Sequence, residues 1–353
     1  MKNLKTYRMF ESVMELTPEQ VQWLDDCTKG TWTLNPQTGL VDVKGDFDCY
    51  EQGLTDFKGV KFGEVGSSFY CSSNALTSLM GAPLKVGYYF YCNRNDLTSL
   101  VGAPLKVGSD FACNNNALTS LEGAPQRMGG SFYCKNNQLT SLMGAPQSVG
   151  VNFYCNRNDL TSLVGAPQRV GGDFYCYDNQ LTSLEGSPRE VGGGFYCSKN
   201  ALTSLKGAPQ EVNLDFDCDS NRLTSLDGAP QRVGRDFWCD SNRLTSLEGA
   251  PRRVGRDFGC RHNQLTSLEG APLKVGEGFF YCEDNPVSEK TLEKIFVKMK
   301  KKTSYLAAVE SLWSRIPQDD QVLLYADDFK WVSPEQGRGL IALRAYQDLR
   351  GML

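Results

Sequence analysis

Histidine is almost missing: one residue, His262, in a chain of 353. Without imidazole the chain cannot build a histidine-rich metal centre, and His262 has no serine or cysteine partner at a spacing that suggests a catalytic triad. Cys-x-x-Cys pairs are absent as well, which removes the usual zinc and redox spacings. No run approaches the ~20 apolar residues of a membrane span, and the opening residues lack the apolar centre of a secretory signal. Membrane binding is therefore not expected, and the expected compartment is the cytoplasm. A basic excess is lacking too: the net charge is -4, which argues against nucleic acid as the partner. Glycines are plentiful, yet runs such as Gly192-Gly193-Gly194 precede strand-like segments instead of opening helices, so no phosphate-cradling loop is present.

What the chain does have is 35 glycines, 13 cysteines and a strict period. Cys71, Cys92, Cys113, Cys134, Cys155, Cys176, Cys197, Cys218, Cys239 and Cys260 are spaced by 21 residues, with Cys49 and Cys282 each offset by 22. One unit runs Phe90-Tyr91-Cys92-Asn93-Arg94-Asn95-Asp96-Leu97, then Leu100, Gly102-Ala103-Pro104 and Val107-Gly108. Phe90 and Cys92 lie two apart, so in a strand both point inward while Tyr91 points out. Leu97, Leu100 and Val107 complete the buried set. A unit this small closes no core alone, but stacked copies bury a continuous one beneath a parallel sheet, about 55 Å long for twelve strands. Asn95 and its equivalents leave the strand at a bend, where the amide is expected to bond backbone groups of its own unit and the next. Gly-Ala-Pro makes a second corner, so the back of each unit should be extended or irregular.

Phe-x-Cys-x-x-Asn-x-Leu-Thr-Ser-Leu resembles the leucine-rich-repeat pattern Leu-x-Leu-x-x-Asn-x-Leu-x-x-Leu. Asn-Gln-Leu-Thr-Ser-Leu, at 137–142, 179–184 and 263–268, is similar to the short repeats of bacterial effector proteins. The Gly-Ala-Pro-x-x-Val-Gly variant resembles repeat proteins of bacteriophages and prophages, which would put the protein in a host cytoplasm. The resemblance implies an α/β-type repeat solenoid, a parallel-sheet leucine-rich-repeat rod with a binding surface on its concave side.

Both ends change character. Thr17-Pro18-Glu19-Gln20 reads as an N-cap, a proline at the first helical position and a capping-box glutamine, with a further helix expected through Tyr7, Phe10 and Val13. Beyond Asn285-Pro286, Leu292, Ile295, Phe296 and Met299 recur at helical spacing. The expected layout is an N-terminal helical cap over 1–44, a solenoid of about twelve units over 45–285, and a C-terminal helical domain over 286–353. Lys298, Lys300, Lys301 and Lys302 read as a solvated helix end.

The chemical signals point to binding. The repeated cysteine reads as a small buried hydrophobe, and neither a metal nor a cofactor is expected. Cys282-Glu283-Asp284 resembles the Cys-x-Asp nucleophile of bacterial ubiquitin-ligase effectors, but it sits on a strand of the last repeat. Between Phe and Cys stand Tyr70, Tyr91, Ala112, Tyr133, Tyr154, Tyr175, Tyr196, Asp217, Trp238, Gly259 and Tyr281, an outward aromatic stripe. These rings either offer rigid contact area to a partner or stabilise the sheet by stacking; the two roles are compatible. Asp215, Asp217, Asp219, Asp236, Asp240 and Asp257 make the C-terminal part of the same face acidic. Arg235 and Arg256 can neutralise it locally; alternatively it receives a basic segment or a cation. The candidate partner-binding residues are Tyr91, Tyr133, Tyr154, Tyr175, Tyr196, Asp217, Trp238, Asp215, Asp236, Asp240 and Asp257. The expected protein is a monomeric, non-enzymatic scaffold for another protein, with a glycan-binding module as the alternative.

Overall fold

The computed structural model describes residues 15–276, 280–282 and 284–286. The helices expected before residue 15 and across 287–353, the lysine run at 298–302 and Glu283 lie outside these residues.

Each repeat makes one coil of a solenoid. Phe and the residue after it form a two-residue strand, and successive strands pair in parallel and in register: Phe90 with Phe111, Phe111 with Phe132, Phe132 with Phe153. Together with an antiparallel Thr28–Lys29 at the start, they form a 13-stranded front sheet. Strand alternation sends Phe and Cys inward, and the phenyl rings stack in one column, for instance 5.3 Å between Phe111 and Phe132 and 5.4 Å between Phe132 and Phe153. Both leucines and the valine of each coil fill the space beneath, giving a single continuous core. The thiols belong to that core. The Cys155 Sγ–H donates to the Tyr175 carbonyl at 3.3 Å, and burial pushes the thiol well above its ordinary range.

The asparagine amide ties coils together, in the opposite direction to the one expected from sequence. Asn158 Nδ2 donates to the carbonyls of Cys155 in its own coil (3.0 Å) and Cys134 in the preceding one (3.1 Å), and its Oδ1 accepts the Leu139 N–H of that preceding coil at 3.1 Å. The amide therefore links backward, because the bend leaves open the carbonyl and N–H that face it from the coil before. The residue just before each of these asparagines takes a left-handed conformation, such as Arg157 at φ 57°, although it is not glycine. Such a backbone costs about 1–2 kcal/mol, and the amide's bonds offset it.

The back of each coil is extended and also paired. Lys85–Val86 pairs in parallel with Lys106–Val107, and so on, but the back ladder is split into sheets of six, three and four strands. Its breaks fall where the repeat departs from its own pattern. Glycine follows each back-strand valine because the coils touch there; a Cβ on Gly150 would lie 2.0 Å from the Gly129 carbonyl oxygen. Asn213 replaces that glycine, and its Cβ forces Glu211–Val212 away from Glu190–Val191. Met128 replaces the valine, and the ladder is interrupted between Arg127–Met128 and Ser148–Val149. A groove of about 780 Å³ opens across this stretch, lined by Met128, Val149, Val170, Arg189 and Asn213 among others.

At the N-terminal side a helix, α1 (Pro18–Cys27), begins with the capping box read from sequence: Thr17 Oγ1 accepts the Gln20 N–H, and Gln20 Oε1 accepts the Thr17 N–H. Trp23 on its buried side meets Phe47 edge-on at 5.2 Å and Phe62 at 6.2 Å. A hairpin, Trp32–Leu34 with Leu40–Val43, then leads into the back sheet; sequence reading had not found it. Among the described residues no helix is long and apolar enough to cross a membrane.

Candidate partner-binding surface

Three outward columns run along the front sheet, formed by the residue before each Phe, the residue between Phe and Cys, and the residue after Cys. The first column is a ladder of side-chain acceptors. The short strand leaves the N–H before Phe without a backbone partner, and where the preceding coil has Asp, Asn or Ser at this position its side chain takes that N–H. Asp110 Oδ1 accepts the Ser131 N–H (2.7 Å), Ser131 Oγ the Asn152 N–H (3.2 Å), Asn152 Oδ1 the Asp173 N–H (2.7 Å), and Asp173 Oδ1 the Gly194 N–H (2.7 Å).

In the middle column Tyr133, Tyr154, Tyr175 and Tyr196 form an unbroken stack, with centroids 4.7, 4.6 and 4.7 Å apart and planes within 8°. Their hydroxyls lean onto the first column. Asn152 Nδ2 donates to the Tyr154 hydroxyl (3.0 Å), Tyr175 donates to Asp173 Oδ2 (2.8 Å), and Tyr196 to Asp215 Oδ2 (3.1 Å). Burial first, and then these carboxylates, push the Tyr175 and Tyr196 hydroxyls well above the ordinary tyrosine range. Lys135 Nζ stands 5.6 Å over the Tyr154 ring. On the other side of Ala112, Tyr91 meets Tyr70 edge-on, at 5.6 Å and 73°. Farther along, Trp238 leans over Gly259, where a Cβ would lie 2.3 Å from its ring, and comes within 5.6 Å of Tyr281. Arg261 lies 5.8 Å from the Trp238 ring and 5.3 Å from that of Tyr281, and its Nε reaches Asp240 at 2.6 Å.

The acidic residues divide by position. Asp236, Asp240 and Asp257 are buried, at 8%, 5% and 6% exposure. They do not make the open acidic patch that the sequence suggests, because two of them hold backbone: Asp236 accepts the Asp257 N–H at 3.0 Å and Asp240 the Arg261 N–H at 2.7 Å. Asp215 and Asp217 remain half-buried. Arg235 stands 3.7 Å from Asp215, and Arg256 is 3.8 Å from Asp236 and 3.6 Å from Asp257, so arginines lie within ion-pair distance of these carboxylates. Asp217 accepts the Ser198 hydroxyl at 2.8 Å. Burial, followed by the charges of Asp217 and Asp240, pushes Asp219 up to about 8. Among the described residues no group of three or more His, Cys, Asp and Glu side chains is arranged to hold a metal ion. His262 is exposed, with its Nδ1 3.2 Å from Asp284.

The structure thus brings Tyr133 through Tyr196 into one unit with Asp215, joins Trp238 to Asp240 through Arg261, and leaves Tyr91 apart across Ala112. Sequence reading missed the acceptor ladder before Phe. Its signal was present as the run Asp110, Ser131, Asn152 and Asp173, one small acceptor per period.

No protein-family model and no curated protein matches the chain. Solved structures that resemble it weakly include two of YopM. YopM from Yersinia enterocolitica WA-314 is 17% identical over 67% of this chain and 65% of that one, with a TM-score of 0.38. YopM of Yersinia pestis, described as a leucine-rich effector protein, is 16% identical over 70% of this chain and 86% of that one, with a TM-score of 0.32. This chain spans less than two thirds of the first, and at such values neither likeness informs function. The parallel-sheet, leucine-rich-repeat type of solenoid stands on the register and core described above.

Proposed function

We propose that this protein is a binding scaffold and that a partner protein lies across the front sheet, along the Tyr133–Tyr196 stack and the adjoining coils as far as Trp238. The observation that carries this reading is the immobilisation of the aromatic column. Four tyrosines are held by mutual stacking and three of their hydroxyls are bound to the neighbouring column. Side chains already fixed lose little entropy on binding, and rigid tyrosines are favoured contact residues. Catalysis has less support. The repeated thiols are buried and pushed far from the reactive range.

A sugar-binding reading is less favoured by the same stack. Sugars lie flat on aromatic faces, and within Tyr133–Tyr196 each ring covers its neighbour's face. Replacing Tyr154, Tyr175 and Trp238 together by serine should abolish capture of the partner in crosslinking pulldowns while the circular dichroism spectrum is retained. Undiminished capture by the folded triple variant would refute the assignment, and specific hits on a glycan array would favour the sugar reading instead.

A further inference from the structure

The front sheet carries a second group of tyrosines at its N-terminal end, built differently from the parallel stack. Tyr88, Tyr89 and Tyr91 come from one coil and Tyr70 from the coil before. Tyr70 and Tyr91 are strand partners in the middle column, Tyr89 stands in the column before Phe, and Tyr88 lies next to it at the margin of the sheet. The ring centroids run 5.6 Å from Tyr70 to Tyr91, 5.4 Å on to Tyr89 and 5.0 Å on to Tyr88, and the planes turn by 73°, 29° and 89° along that path. Each crossed pair makes a corner, where the edge of one ring meets the face of the next. No bulky side chain flanks Tyr88 and Tyr89 along their columns: Ser67 and Ser68 hold the equivalent places in the preceding coil, Ser109 and Asp110 in the following one. Tyr88 is 56% exposed, and the other three are half-buried. Ala112, beside Tyr91, is closed over at 6% exposure and forms no part of this surface.

The polar groups of the cluster are unspent. Tyr154, Tyr175 and Tyr196 have their hydroxyls bound to the neighbouring column, whereas among the described residues no acceptor holds the hydroxyls of Tyr70, Tyr88, Tyr89 or Tyr91. Asp110 lies beside Tyr91. After burial its charge is the largest influence raising the Tyr91 hydroxyl, to about 12, so this phenol stays a neutral donor. Asp110 Oδ1 accepts the Ser131 N–H at 2.7 Å, and among the described residues no Lys or Arg pairs with the carboxylate. The other charges here offset each other: Asp48, the strand partner of Tyr70, meets Lys29 Nζ at 3.0 Å. The cluster therefore presents apolar corners, hydroxyl donors and one unpaired carboxylate.

We propose that this cluster docks a proline-rich segment of a partner protein, with pyrrolidine rings in the corners, backbone carbonyls accepting the tyrosine hydroxyls and a basic residue of the segment beside Asp110. A polyproline II chain has no internal hydrogen bonds, so its carbonyls are free to accept, and it is ordered before it binds. Residues one turn apart lie about 9 Å from each other, and the three ring contacts between Tyr70 and Tyr88 trace a longer path than that. A compact, non-planar ring fits a corner; a sugar, which lies flat on one ring face, fits it less well. This rests on the reading of the front sheet as the partner surface, extends it to the coils before Ala112 and names the chemistry recognised there.

The test uses the full chain and a fluorescein-labelled peptide of repeated Pro-Pro-Arg, read by fluorescence anisotropy. This peptide should bind at least ~10-fold more tightly than one of equal charge with alanine for proline, which lacks both the rings and the preformed backbone. Replacing Tyr88 and Tyr89 together by serine should weaken binding at least ~10-fold, the scale of losing a central contact residue. Should that variant lose the wild-type circular dichroism spectrum, Tyr88→Ser alone, at an exposed position, should weaken binding about 3-fold or more. Asp110→Asn keeps an acceptor for Ser131 and should weaken the arginine-bearing peptide about 3-fold, the scale of a partly exposed ion pair, while leaving a plain polyproline peptide unaffected. Equal binding of the alanine peptide, undiminished binding by a folded tyrosine variant, no loss in Asp110→Asn, or cellohexaose binding in place of the peptide would each overturn the assignment. The triple-serine variant keeps all four of these tyrosines, so failure here with capture still abolished there leaves the scaffold reading standing.

Discussion

Replacing Asn158 by alanine should cost about 2–5 kcal/mol, a value that follows from the bonds the amide makes. Its Oδ1 is the only side-chain acceptor for the Leu139 N–H, so that donor is left buried and unpaired, at about 1–3 kcal/mol. The two cysteine carbonyls are affected less. Cys134 keeps the Asn137 amide at 3.0 Å and Cys155 keeps that of Asn179 at 3.2 Å, so each falls from two amide donors to one, at about 0.5–1 kcal/mol apiece. Asn158→Asp separates the two roles. It keeps an acceptor for Leu139 but turns a buried carboxylate toward two carbonyls, and should be at least as damaging as alanine at neutral pH. Urea unfolding gives the size of the loss, and hydrogen exchange at the Leu139 amide gives its location, since coils of a solenoid interact mainly with their neighbours. If Asn158→Asp kept wild-type stability, or if the Leu139 amide stayed protected in Asn158→Ala, the backward link would not be what joins the coils.

Three further outcomes are expected. Asn213→Gly removes the Cβ that parts the back ladder, so the amide of residue 213 should gain exchange protection; an unchanged rate would mean the break has another cause. Asp219, pushed up to about 8, stays protonated in the folded chain while the unfolded chain ionises near pH 4, so it favours folding below about pH 4 and loses that contribution as the pH rises toward 8. Asp219→Asn keeps an acceptor for the Asp240 N–H, and should therefore raise the melting temperature at pH 8.5 but not at pH 4; equal gains at both would refute the titration argument. The repeated thiols, Cys71 to Cys260, should resist iodoacetamide in the native protein and react in urea, as mass spectrometry would record, and labelling of any of them without unfolding would contradict their burial.

The period, the inward set of Phe, Cys, Leu and Val, and the outward aromatic stripe were all legible in the sequence, because a 21-residue repeat multiplies each weak local signal by the number of coils. Single departures carried as much information but are harder to weigh. Asn213 and Met128 each mark a break in the back ladder, which becomes readable only once the close approach at the glycine column is known. The direction of the asparagine bonds depends on which neighbour faces the bend, a matter of handedness that spacing does not encode. The acidic residues misled for a related reason. Aspartates before Phe and after Cys look solvent-facing by strand alternation, yet at Asp236 and Asp240 they are drawn in by N–H groups that the two-residue strands leave unpaired. The helices expected over 286–353 lie almost wholly outside the described residues.

The backward reach of the asparagines sets an order of assembly. A nascent chain emerging from the ribosome finishes each coil only when the following one arrives, because the front-strand N–H groups donate to its carbonyls and the leucine N–H to its asparagine; the newest coil therefore carries open N–H groups that earlier coils have closed. Growth by whole units leaves the same set of open groups at the tip, whatever the length. Duplication or loss of 21 residues inside the array should therefore be tolerated, and so is the extra residue of the last unit, where Asn285 still reaches Cys260 and Leu265; an insertion between a cysteine and its asparagine would instead move the amide off the carbonyls it holds.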